Sequence, residues 1–237
     1  MNNVRKVIVG LLAAVMLGAS ASAVAVTHAT TATVNTAYNS SGTGTSVGGV
    51  TGGSVYNVSI AATGSTGKWA GIFGNVSSVS LSLNPTSATQ AFYSWSLTPT
   101  NNSLILATTN SSPNWSTLAN GVVANVDTAW SYTGADTDSA ASTFSGSSGV
   151  TIGGTSKTTA TVLTYTSTGA QLWKTHIVNL VAAASTKPYL VFAGNYTLGT
   201  SGITAYDGSY KQYQMLVPDN NDNGASSGTT YYMFVQV

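Results

Sequence analysis

Apolar and polar residues alternate with a period of two through the middle of the N-terminal half. Val79, Leu81 and Leu83 alternate with Ser78, Ser80 and Ser82; past a turn at Asn84-Pro85, Tyr93, Trp95 and Leu97 alternate with Ser94 and Ser96. Successive side chains on a strand face opposite ways, so each run offers one apolar and one hydroxyl-rich face. Two such runs joined by a loop predict an antiparallel hairpin. Its apolar face, Trp95 included, should lie on a core while its serine face meets water.

Strand-like runs recur at 55–61, 76–83, 91–97, 104–107, 121–126, 159–166, 172–180, 189–193, 210–217 and 230–237, with Gly, Asn and Pro between them. Short strands at this spacing predict an all-β chain, an antiparallel β-sandwich of jelly-roll or Ig-like type. Helix formers are thin, and the best helical candidates are 118–126 and 177–184. Residues 133–157, rich in Gly, Ser and Thr, read as a long loop or a boundary between sheets.

The N-terminus has the layout of a cleaved signal peptide. Arg5 and Lys6 precede an apolar run, 7–17, and a small-residue stretch ending at Ala23; basic, apolar and Ala-x-Ala parts in this order mark export. The apolar run is shorter than the roughly twenty residues a membrane-spanning helix needs. No transmembrane segment is expected in the mature chain, and the expected location is secreted, extracellular or on the cell surface. The organisation that follows is a signal peptide at 1–23, an extended arm and Gly/Ser/Thr-rich linker at 24–54, and a β-sandwich domain at 55–237. The arm, 24–38, contains neither Gly nor Pro and carries Val24, Val26, Val34 and Tyr38, which favour extended backbone.

Charge narrows the function classes. Of the seven basic residues, Arg5 and Lys6 lie in the leader, leaving five lysines against six aspartates and no Glu. Without a basic patch or an arginine fork, nucleic acid is not an expected partner. The absence of Cys excludes disulfides and thiolate-ligated metals, so packing and strand ladders must hold the fold.

Candidate chemistry is sparse. His28 and His176 are the only histidines; His176 reads as a surface residue of a strand, and no G-x-S-x-G elbow accompanies it. The aspartates sit in turn-like sequence, so no enzyme activity and no catalytic residues are expected. Asp219-Asn220-Asn221-Asp222-Asn223-Gly224 fits the opening of a calcium loop, with Asp219, Asn221 and Asn223 as candidate ligands. Thr230 stands where an EF-hand needs Glu, so the choice lies between a calcium-stiffened β-loop and a plain hairpin loop; Asp136-Thr137-Asp138 is a weaker second candidate. Calcium is the only cofactor the sequence suggests. Glycosylation sequons stand at Asn39, Asn57, Asn75, Asn101, Asn110, Asn114 and Asn195. Trp115 and Trp130, in turn-rich sequence, are the candidates for an aromatic platform that would bind surface glycans.

The blocks Trp69-Ala70-Gly71, Gly74-Asn75-Val76, Phe92-Tyr93-Ser94-Trp95, Tyr213-Gln214-Met215-Leu216-Val217-Pro218 and Thr230-Tyr231-Tyr232-Met233-Phe234-Val235 resemble a group of uncharacterised secreted β-proteins of archaeal and some bacterial cell surfaces. The arm ahead of a β-domain is similar in organisation to extracellular filament subunits that assemble by donating a strand. The resemblance implies a self-assembling filament or surface-layer-type subunit whose main partner is itself. The alternatives are a carbohydrate- or surface-binding, adhesin-like module, and a secreted hydrolase uniting His176 with an aspartate. The leader reading has a direct test: mass spectrometry of the secreted protein should find Val24 at the N-terminus, and an intact Met1 form would overturn it.

Overall fold

The structure, a computed structural model, describes residues 26–28, 66–83, 91–182, 184–198, 203–219 and 228–237. The chain folds as the all-β, antiparallel class its patterning predicts. Seven strands run side by side in the order β1 (Val26–His28), β12 (Tyr232–Gln236), β5 (Leu104–Thr108), β10 (Leu190–Asn195), β9 (Gln171–Asn179), β8 (Thr155–Tyr165), β7 (Gly146–Ile152). A two-residue strand, β6 (Ala119–Asn120), also pairs with β9. Two small sheets stand apart, β2 (Trp69–Gly74) with β11 (Tyr213–Pro218), and β3 (Val79–Leu83) with β4 (Tyr93–Leu97).

The central strands read as continuous apolar runs because both of their faces are covered. On β5 and β10, Ile105, Ala107, Leu190 and Phe192 point to one side, while Leu104, Leu106, Val191 and Ala193 point to the other. The first side is roofed by β11 and by the helix α1 (Val123–Trp130), whose Val126 and Trp130 are fully buried. Trp130 meets Phe192 edge-on, with ring centroids 5.9 Å apart. β11 lies close on the sheet: the Leu216 amide donates to Thr175 Oγ1 (3.0 Å), and the Gln214 amide group donates to Thr164 Oγ1 (2.8 Å) and Tyr165 O (2.9 Å). Gly194 permits this approach, since a Cβ there would stand 2.9 Å from the Met215 methyl.

The second side is closed by the sheet itself. β7 turns back until Val150 and Ile152 join Leu104, Leu106 and Phe234 in one cluster, with Leu118 and Trp115 completing it. Gln236 of β12 clasps the far edge, donating to Thr151 O (3.1 Å) and accepting from the Gly153 amide (3.3 Å). One layer over the sheet plus the sheet's own curl therefore encloses the core.

Several local expectations need correction. Residues 133–157 are not a featureless loop; they hold a four-residue helix, α2 (Ala140–Thr143), strand β7 and a tight turn into β8. Gly153 and Gly154 in that turn have φ of 57° and 76°, the backbone a two-residue hairpin loop demands. Residues 121–126, read both as strand and as helix, enter α1, and 177–179 are strand rather than helix. Among the described residues no helix is long and apolar enough to cross a membrane.

The connection into α1 crosses β9 at Gly121, where a Cβ would fall 1.7 Å from the Ile177 carbonyl oxygen. Gly121→Ala must push a buried strand aside and is expected to cost about 2 kcal/mol or more. Gly71→Ala, which meets nothing within 4 Å, should leave stability within about 0.5 kcal/mol. Urea unfolding of the two variants checks the pair; equal stabilities would contradict the close crossing.

Candidate functional site

At one end of the main sheet, β1 pairs antiparallel with β12 in the register Val26↔Gln236, Thr27↔Val235 and His28↔Phe234. The C-terminal strand would present an open edge without this partner, because its other neighbour is β5. The remaining arm residues singled out by sequence, Val24, Val34 and Tyr38, lie outside the described residues.

The β3–β4 hairpin forms with the expected alternation, pairing Val79 with Leu97, Leu81 with Trp95 and Leu83 with Tyr93. Its placement does not follow the expectation. Only Val79 and Leu97 reach the core; from there the hairpin projects outward, leaving Leu81 36%, Leu83 53%, Tyr93 57% and Trp95 48% exposed. Trp95 is thus a surface residue, stacked edge-on against Tyr93 at 4.8 Å. Phe92, just before β4, is 80% exposed. Period-two patterning reports a shared face and is silent on whether another layer covers it.

His176 also departs from its expected surface position. It is 3% exposed, on the face of β9 that the curled sheet encloses, beside a cavity of about 360 Å³ lined in part by Asn101, Ser148, Lys174 and Asn195. Thr159 Oγ1 spends its single proton on the Ser148 carbonyl (2.9 Å), so it must accept from His176 Nδ1–H, also at 2.9 Å. That bond is open to the neutral and the protonated ring alike, and burial is what favours the neutral form. Desolvation, reinforced by the nearby Lys174 ammonium, lowers its pKa to about 4. Among the described residues lining the cavity none is a carboxylate.

Carboxylates are committed elsewhere. Asp127, expected in a solvated turn, is buried on α1 and accepts from the Ala140 (2.6 Å) and Ala141 (3.2 Å) amides at the start of α2. Asp136 and Asp138, the second calcium candidate, grip Lys68 Nζ at 2.7 Å each, so a lysine ammonium occupies the place of a cation. That bond and one from Thr66 hold the Asp138 carboxyl below its ordinary range, and the two carboxylates raise the Lys68 pKa. At the first calcium candidate, Asp219 Oδ1 accepts from the amide and hydroxyl of Thr229, both at 3.0 Å, while Asn221 and Asn223 lie outside the described residues.

The aromatic platform does not form. Trp130 is 1% exposed because α1 turns it onto Phe192, and Trp115 packs edge-on against Phe234 at 5.3 Å. Among the sequons, Asn75, Asn101 and Asn114 are exposed, whereas Asn110 and Asn195 are half-buried. Asn39 and Asn57 lie outside the described residues. No family model, curated protein or solved structure matches the chain.

Burial of a neutral His176 carries a pH signature. Its folded pKa of about 4 lies below the ordinary 6.5, so the unfolded chain binds the proton first. Stability should then be full above pH 6.5 and fall between 6.5 and 4, by roughly 3 kcal/mol for a 2.5-unit difference. His176→Gln should flatten that limb in pH-dependent urea melts. An unchanged limb would mean that the histidine titrates freely.

Proposed function

We propose that the protein is an exported structural subunit that assembles with copies of itself at an extracellular surface, each passing its N-terminal arm into a neighbour's sheet beside β12. The observation that carries this reading is that Val26–His28 lies, within one chain, beside the C-terminal strand at the end of the main sheet, a place that the arm of another copy would fit equally. A strand added at a sheet edge is held by main-chain hydrogen bonds, and the same register serves a strand from its own chain or from another. The Gly/Ser/Thr-rich tract at 39–54 has the composition of a flexible tether; sixteen such residues average about 22 Å end to end, enough to reach an adjacent subunit.

Charge supports the same reading. With so few ionisable groups, copies brought together face little mutual repulsion. Lys68 is bound by both Asp136 and Asp138 in a single knot, so three of these few charges are paired locally. Glycan binding through Trp115 and Trp130 has less support, because both rings pack inward. Catalysis at His176 has less as well, since no carboxylate is among the described residues that line its cavity.

Deleting 24–38 decides between donation and an internal strand. The truncated protein should lose polymerisation, stay folded with Tm lowered by less than about 5 °C, and capture the free 24–38 peptide. A truncated chain that unfolds as a monomer would make the arm an ordinary internal strand.

A further inference from the structure

We infer that the exposed apolar face of the β3–β4 hairpin is a second contact between copies of this chain, pairing two hairpins face to face about a twofold axis. Leu81, Leu83, Tyr93 and Trp95 share one face by register, and Phe92 adjoins them. Summing their exposed fractions gives roughly 500 Å² of apolar surface per copy, taking about 200 Å² for each large side chain. A pair would then bury about 1,000 Å² in total, near the threshold for a specific interface, while one patch left open is already at the upper end for a monomer.

The chemistry of the surroundings selects the occupant. From Trp69 to Asn125 the sequence contains no Asp, Glu, Lys, Arg or His. A charged partner would find nothing there to neutralise it, and an anionic membrane would find no lysine or arginine. A second copy brings an equally uncharged surface, so the pairing strands no ion in an apolar contact. The geometry is self-complementary: the Trp95–Tyr93 pair on β4 lies beside the smaller Leu81 and Leu83 on β3. A twofold rotation sets the rings of one copy over the leucines of the other. The hairpin is also fixed at its base by Val79 and Leu97 in the core, so it presents this face without first having to order.

This contact deepens the self-assembly reading, and the two fail separately: the hairpin substitutions lie outside the β1–β12 ladder, and arm deletion removes no strand of the β3–β4 pairing, although β1 lies near β3. The test is sedimentation velocity of the mature chain from about 1 to 100 µM, comparing wild type with Leu83→Ser/Trp95→Ser. Wild type should dimerise with concentration and the double variant should dimerise at least tenfold more weakly. Its circular dichroism and Tm should match wild type, since both residues are about half exposed. Because the chain lacks cysteine, Leu83→Cys gives a second measurement. With a bis-maleimide spanning about 10 Å, the spacing of two face-packed sheets, it should crosslink two copies readily, whereas Ser82→Cys on the opposite face should not. Equal dimerisation of wild type and double variant, or equal crosslinking from both faces, would overturn the pairing. So would a monomeric wild type that binds phosphatidylcholine vesicles, which would make lipid the occupant. A monomer whose Trp95 is shielded from acrylamide, read as the difference from Trp95→Phe, would place the chain's own segment on the face and overturn it as well.

Discussion

Burial of β5, β9 and β10 on both faces is the constraint on which the rest of the structure depends. A sheet in a chain without cysteine must find apolar cover for each side. Here the two sides are served differently: β11 and α1 lie over one, and the curl of β7 toward β12 closes the other. The close approaches follow from that demand. Gly194 lets Met215 settle on the sheet, Gly121 lets the chain cross β9, and the Gln236 clasp holds the curl where strand pairing ends.

The same demand explains how the few ionisable groups are used. Each one drawn inward is given a partner or kept neutral. Asp127 is satisfied by the first amides of α2, Lys68 by two carboxylates, and His176 by losing its proton to the solvent and donating Nδ1–H to Thr159. These contacts join distant parts of the chain. Lys68 ties the start of β2 to the segment before α2, and the Trp69 indole donates to the Asp138 carbonyl at 2.7 Å beside it. Residues that a sequence reading would search for chemistry are spent on holding the fold.

Where the core ends, two surfaces stand out among the described residues. Among the described residues, a three-residue strand lies beside β12, and the aromatic face of the outer half of the β3–β4 hairpin is exposed. Both are surfaces that a lone soluble protein usually guards with charge, and neither carries much. They differ in kind. The strand edge offers backbone hydrogen bonds to any extended segment, whereas the hairpin offers side-chain area and shape.

Alternation along 79–83 and 93–97 was enough to determine a hairpin and its register, and the apolar runs at 104–107 and 189–193 were enough to locate central strands. Those properties belong to neighbours in sequence, where the two-residue period acts directly on the backbone. The glycine pair at 153–154 was a legible turn signal that lay hidden in a Gly/Ser/Thr-rich background. Exposure could not be read in the same way. Trp95 and Trp130 are both aromatic, yet one stands at the surface and the other is sealed beneath α1 against Phe192. His176 looked like an outward strand residue because its face alternates with Trp173 and Ile177. Only the return of β7 over that face turns it into an interior. Local sequence decides which side chains share a face; whether that face meets water depends on segments tens of residues away, and their arrival is a property of the tertiary structure alone.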